Sequence, residues 1–341
     1  MKFELKHIVF YLCAALTFAA CNKITSPEDN LITFSAEPQV SWVTPETKAF
    51  PEDGSFGVWG IMRRNAGETR TLWGANELVE ATKQTNGGFK PENDAYWFSG
   101  FTYNFLALAP FNTGAKNVSI SSSDELSFTF DMADKYPDYD YDLLAAVAQT
   151  SVNKASTQPQ QSLKFWHLLT RININVSFVD AAGSAITDQS KAKLDNIRLY
   201  NVATKGIYNV SYSATATSTD NLLVTCTDVS SVLTTPLTFI STAATLYIIP
   251  QNISNFKLYL DYTMDVVDDK GTESTEDDVT YSDVKVKDFE VNLFPETNTP
   301  RDYKYNDQYN WNLKIGPRKA VTFTATVANW QTGDSFEIPI K

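Results

Sequence analysis

Arg171-Ile-Asn-Ile-Asn-Val-Ser-Phe178 decides the fold class. Ile172, Ile174, Val176 and Phe178 form one face of an extended segment, while Arg171, Asn173, Asn175 and Ser177 form the other. Successive side chains of a strand point to opposite faces, so an apolar residue at every second position marks a strand with one dry side. Strands of this kind build antiparallel sheets over a single core; strands of parallel sheets are apolar on both faces. The alternation returns in Val321, Phe323, Ala325 and Val327, set between Thr322, Thr324 and Thr326. It returns again at residues 31–36, where Ile32, Phe34 and Ala36 share a face opposite Thr33 and Ser35.

Working outward, further strands are expected at 56–59, 101–108, 126–130, 141–148, 196–202, 207–213, 245–249, 255–262, 284–293 and 309–315. A turn or two of helix at 143–149 stays open. Short strands separated by Gly, Pro, Asn and Asp argue for an all-β sandwich architecture. The polar stretch Gln149 to Ser162, which holds Pro159, is the best boundary between two blocks. The expected division is 1–20 leader, 21–160 first domain and 161–341 second domain; the other reading is one continuous sandwich with a long polar loop. Thr82 to Ala95, with Gly87-Gly88, reads as a surface loop. Asp265 to Asp283 carries eight acidic residues against Lys270 alone. Its acids do not follow EF-hand spacing, so a solvated hairpin loop is the default over a calcium site.

The 341 residues include 28 Lys plus Arg and 40 Asp plus Glu, a net charge of -12. Without a basic cluster, such a chain is a poor partner for nucleic acid. Two histidines and three cysteines are too few for the usual zinc sites. His7 lies in the leader, and His167 sits between Trp166 and Leu168, a packing context. No G-x-S-x-G, G-x-G-x-x-G or Walker-type element occurs. Two carboxylates would suffice for glycoside hydrolysis, yet no pair is nominated by its surroundings. No catalytic residue, cofactor or metal ligand is therefore expected. Trp42, Trp73 and Trp97 lie near polar stretches, where stacking on sugar rings competes with core burial or loop anchoring; burial is the expectation.

The chain begins MKFELKHIVFYLCAALTFAAC, with Lys2 and Lys6 ahead of an apolar run from Ile8 to Ala20. That run is too short to cross a bilayer as a helix but suits a secretory signal. Ala19-Ala20-Cys21, followed by a polar stretch, resembles a bacterial lipobox, although Phe18 stands where an aliphatic residue is usual. The resemblance implies removal of residues 1–20 and lipidation of Cys21. Cys13 leaves with the signal, so Cys226 is the remaining thiol and no intrachain disulfide is expected. Its strand-like surroundings suggest a buried, inert group.

Both ends of the mature chain carry strands attached from one side only. Behind 31–36 comes Glu37 to Gly54, rich in Pro, Glu, Asp and Thr and poor in strand pattern. At the other end Phe336, Ile338 and Ile340 alternate with other residues, and Pro339 favours an edge position. Terminal strands of both kinds serve strand-addition assembly.

Several segments, taken in order, resemble the fimbrillin-like family of Bacteroides-type surface lipoproteins, similar to major and minor fimbrial subunits. They are the lipobox at Cys21, Leu31-Ile-Thr-Phe-Ser-Ala36, Thr47-Lys48-Ala49 and Asp53-Gly-Ser-Phe-Gly-Val-Trp59. Tyr141-Asp-Leu-Leu-Ala145, Leu163-Lys-Phe-Trp-His-Leu168, Leu246-Tyr-Ile-Ile-Pro-Gln251 and Val321-Thr-Phe-Thr-Ala-Thr-Val-Ala-Asn-Trp330 complete the set. The resemblance implies two transthyretin-like antiparallel β-sandwich domains, a lipid anchor in the outer membrane and exposure at the cell surface. It also implies partners: other fimbrial subunits joined by strand exchange, and a host or bacterial surface ligand. In polymerising members a protease cuts after an arginine behind the first strand, and another subunit's strand fills the vacated groove. Here the departing strand would present Ile32, Phe34 and Ala36, with Lys48-Ala49 at the cut and Phe336, Ile338 and Ile340 as donor. This chain has no arginine between Cys21 and Arg63, which leaves room for a lysine-directed cut, an uncleaved anchor or a tip subunit. A structural fimbrial subunit or accessory adhesin is thus expected; the alternative is a non-polymerising, membrane-tethered glycan- or protein-binding lipoprotein.

Overall fold

The computed structural model describes residues 30–38 and 54–317 apart from short stretches at 65–66, 75–76, 86, 113, 134, 137–140, 154–159, 181, 269, 271–275 and 295–300. It also gives the backbone of 321–329 and 335–336. The protein is all-β, and the described residues include no α-helix.

The first block supplies β1 (Phe34–Pro38), β2 (Phe56–Arg63), β3 (Thr69–Thr71), β4 (Val79–Lys83), β5 (Phe89–Pro91) and β6 (Phe101–Ala109). It continues with β7 (Lys116–Ile120), β8 (Leu126–Asp131) and β9 (Leu144–Val152). The second block opens with β10 (Gln161–His167), β11 (Thr170–Phe178), β12 (Ala192–Tyr200), β13 (Ala203–Tyr212), β14 (Leu222–Val232), β15 (Leu237–Phe239) and β16 (Ala243–Ile248). It ends with β17 (Gln251–Asn252), β18 (Lys257–Asp268), β19 (Val279–Val291), β20 (Asp302–Tyr303), β21 (Asp307–Ile315), β22 (Val321–Asn329) and β23 (Ser335–Phe336).

The first sheet closes on itself. Its order is β3-β2-β4-β5-β1-β10-β9-β6, and β6 pairs back onto β2, so seven of the strands form a barrel with β3 as an outgrowth. This departs from the expected pair of stacked sheets in the first block. The reason lies in β2 and β6, which pair over seven residues from Gly57↔Leu108 to Arg63↔Thr102 and leave the sheet no edge between them. Phe56, Val58, Met62, Tyr103, Phe105, Leu163 and Phe165 fill the barrel interior. The intervening Trp59, Ile61, Leu106, Leu108 and Trp166 point outward into a second core beneath the sheet β14-β13-β8-β7. Strands buried on both faces read as continuous apolar runs, which is why β2 is almost wholly buried. Close packing leaves no room at Gly60, where a Cβ would lie 2.7 Å from Leu72 Cδ1 and 3.0 Å from Phe105 Cδ1.

A second unit is built from β16-β11-β21-β22-β23 and β15-β12-β18-β19, with Ile172, Ile174, Leu260, Tyr262, Trp311 and Leu313 between them. In this sheet β11 runs parallel to β21 and antiparallel to β16, so the wet-faced strand of the sequence is not purely antiparallel. Strand pairing does not follow a division at residue 160. β10 lies inside the first barrel between β1 and β9, and the β13–β14 hairpin extends the β7–β8 sheet of the first block. Within the segment 149–162, residues 149–152 belong to β9 and 161–162 to β10, two antiparallel neighbours in the barrel. Residues 143–149 run into β9, with no helical turn. Thr82 to Ala95, expected as a surface loop, contributes β5 and the end of β4 to the barrel wall, with Phe89 and Ala95 buried. Strands of three and five residues, with Phe89 and Pro91 buried in one and Ala81 alone in the other, are too short to give a periodic run to read.

Candidate functional site

The groove that holds β1 is the feature the sequence singles out. Ile32 and Phe34 are completely buried, and Ala36 packs against the same core while partly exposed. Phe34 sits in an aromatic cage: its ring centroid is 5.3 Å from Phe105, 6.1 Å from Phe56 and 6.4 Å from Trp73. Edge-to-face arrangements of this kind add to the area buried. Phe56 in turn meets Phe89 at 5.1 Å and Phe165 at 5.2 Å.

The backbone of β1 is held from both sides. It runs parallel to β10, from Phe34↔Gln161 to Pro38↔Phe165, and touches β5 at Phe34↔Phe89. Just ahead of it, Ile32 N donates to Ala95 O and Trp97 N to Asn30 O, each at 2.8 Å. Gln161 N donates to Thr33 O at 2.8 Å. Burying Ile32 and Phe34 contributes about 1.5–3 kcal/mol each. Every ladder group left unpaired in a dry groove would cost about 1–3 kcal/mol. The first strand is a wall stave of the barrel, with neighbours on either side.

Other residues nominated from sequence are scattered. Cys21, Trp42, Lys48, Ala49, Ile338 and Ile340 lie outside the described residues. Phe336 belongs to β23, whose backbone pairs with β22 at Val327↔Phe336 on the edge of the second unit. Trp97 is buried in the barrel, and Trp73 donates from Nε1 to Asn93 O at 2.8 Å. His167 is buried at the end of β10, with Nδ1 2.5 Å from Asp142 Oδ2. Cys226, on β14, is partly exposed; burial pushes its thiol up to about 12, so it carries little thiolate at neutral pH. Of the run Asp265 to Asp283, 265–268 end β18 and 279–283 begin β19, paired out to Asp268↔Val279, and no group of three metal-type side chains gathers among the described residues.

One cluster escaped the sequence reading. Arg198 on β12 sends Nη2 to Asp261 Oδ1 at 2.7 Å and to Asp288 Oδ1 at 2.8 Å, joining β12, β18 and β19. Beside it Tyr200 and Tyr259 meet edge to face at 5.4 Å. These residues lie far apart in sequence and share no motif; the register Arg198↔Tyr259 and Tyr200↔Lys257 brings them together.

Residues 43–330 match the family model described as fimbrillin-like. The chain belongs to the fimbrillin-like family. Among solved structures, a protein from Bacteroides uniformis provisionally described as a cell adhesion protein is similar over 88% of this chain and 99% of its own, with 17% identity and a TM-score of 0.51. That likeness speaks for the fold. A Bacteroides ovatus protein with the same provisional description is 15% identical over 89% of this chain and 98% of its own, with a TM-score of 0.45. A fimbrial assembly protein from Parabacteroides distasonis is 10% identical over 90% of this chain and 98% of its own, with a TM-score of 0.39. No curated relative matches.

Proposed function

We propose that this fimbrillin-like protein is a surface adhesin, tethered to the outer membrane through lipid on Cys21, that binds partners while β1 stays in its barrel. The observation that supports this reading is the seat of the first strand: Ile32 and Phe34 are fully buried and β1 is paired on both sides. The adhesion descriptions of the similar solved structures point the same way. The test is N-terminal analysis of protein from intact cells, with fatty-acid labelling of wild type and Cys21→Ala. A labelled chain that starts at Cys21 and retains β1 is the expected result. Recovery of chains that begin near Ala49 would overturn the retention of β1, and undiminished labelling of Cys21→Ala would overturn the anchor.

A second reading is favoured by the same slot. Loss of β1 would open the barrel between β5 and β10, leaving a groove that another subunit's strand, with Phe336, Ile338 and Ile340 as candidates, would refill. In that reading the protein is a fimbrial subunit assembled by strand replacement after cleavage at Lys48-Ala49. Treatment with a lysine-specific protease separates the two. Ladders or filaments after cleavage support replacement; cleavage without oligomers supports the tethered adhesin. The finer division into two transthyretin-like domains belongs to the same proposal, with the first unit completed by β13 and β14 from beyond residue 160.

A further inference from the structure

The outer face of the β15-β12-β18-β19 sheet carries a concavity that none of the above assigns. One part, of about 330 Å³, lies over Arg198, Tyr200, Tyr259 and Asp288. The adjoining part, of about 820 Å³, runs past Phe256 and Glu290 to Val229 and Val232 on β14. Asn201 and Lys257 line both, so the two make one continuous groove between the second unit and the hairpin that completes the first. Clefts of roughly 300–1,000 Å³ are the usual size for small ligands.

The chemistry of the lining is mixed in a particular way. Arg198, held by Asp261 and Asp288, offers guanidinium donors in a fixed orientation. Glu290 accepts from the Tyr259 hydroxyl at 3.2 Å and lies 3.8 Å from Lys257 Nζ, while Asn201 Nδ2 donates to Asn255 O at 2.6 Å. Donors and acceptors both line the groove, and its cationic groups are paired with anionic ones. Between them lie apolar surfaces: the Tyr200 and Tyr259 rings at one end, and Val229 and Val232, 38% and 53% exposed, at the other. Charge balance disfavours a strongly ionic ligand. A sheet face presents side chains instead of free backbone groups, which disfavours an extended peptide. Hydroxyls that both donate and accept, set on a ring with an apolar C–H face, meet every requirement.

We infer that this groove is a binding site for a neutral oligosaccharide. The inference rests on the adhesin reading and supplies its ligand class. The test uses the full chain in detergent with maltotriose, mannotriose, N-acetyllactosamine and diacetylchitobiose as probes, followed by saturation-transfer NMR and calorimetry. At least one probe binds, and Tyr259→Ala weakens it about tenfold or more. Val229→Arg, at an exposed rim position, blocks the groove without touching the core and guards against misfolding of the first variant. No transfer to any probe, or binding unchanged in a folded Val229→Arg, overturns the site. Adhesion of cells displaying the protein to glycan-coated and peptide-coated surfaces separates this failure from that of the adhesin reading. Adhesion that both variants retain removes the groove and leaves the adhesin; binding to peptide coats alone replaces the sugar with a protein partner. Failure of displayed wild type to adhere to any coat removes the adhesin itself.

Discussion

The barrel around β1 and the sandwich around β11 use strands of the same period to opposite ends. Barrel strands β2, β6, β9 and β10 are covered twice, by the aromatic interior around Phe34 and by the second layer under β8 and β13. Sandwich strands are covered once. Their outer faces hold amide ladders, Asn173 Nδ2 to Asn310 Oδ1 at 2.8 Å and Asn175 Nδ2 to Asn312 Oδ1 at 3.2 Å, and the Arg198 cluster on the opposite sheet. A strand that is dry on both sides has its whole surface committed to stability. A strand with a wet face keeps half of its side chains free for recognition.

The contrast is sharpest at Phe34. Phe34→Ala should cost about 3–5 kcal/mol, read by chemical denaturation, because it empties the centre of an aromatic cage. A cost below about 1 kcal/mol would show that β1 is not part of the barrel's cooperative unit. Ile174→Ala, in the sandwich, should cost about 2–5 kcal/mol. Because Tyr247 and Ile249 pack into the second-layer core while Leu246 and Ile248 pack into the sandwich core, both variants should melt in one calorimetric transition. Two resolved transitions would break the picture of units welded through β16.

Gly60→Ala should cost about 1–3 kcal/mol by overpacking, since its new Cβ would also lie 3.0 Å from Trp73 Cζ3. On the wet face Asn173→Ala should lose only about 0.5–1.5 kcal/mol, because its ladder competes with water. Comparable losses at both positions would erase the difference between dry and wet strands. The smallest effect is invisible at neutral pH. Cys226 has its folded value raised from 9.0 to about 12 by burial, so the unfolded chain loses this proton first. Its contribution is intact below pH 9 and is lost as pH rises from 9 to about 12. Cys226→Ala should therefore flatten the fall in stability over that window, measured by alkaline denaturation.

Strands with a clean alternation, such as 171–178 and 309–315, were legible within a residue or two of their observed bounds. β3, β4 and β7 were not, since they are short, carry charged side chains and bury few of their residues, and β5 was not because it is only three residues long. The candidate groove at β1 was legible as an apolar stripe, whereas its neighbours were not. Nothing in Phe34 or Gln161 states that the two lie side by side in parallel. Arg198 and Tyr259 were silent for the same reason.

The sequence by itself determined that the chain is all-β and that Ile32 and Phe34 share a face. These are local properties, set by side-chain alternation. Only the tertiary structure decided that the first sheet closes, that β10 and the β13–β14 hairpin serve the first barrel, and that Arg198, Tyr200 and Tyr259 stand beside one groove. Those outcomes depend on which strand edges meet. Every extended segment offers the same backbone donors and acceptors, so partner choice is settled by packing over the whole chain and not by the residues of any one strand.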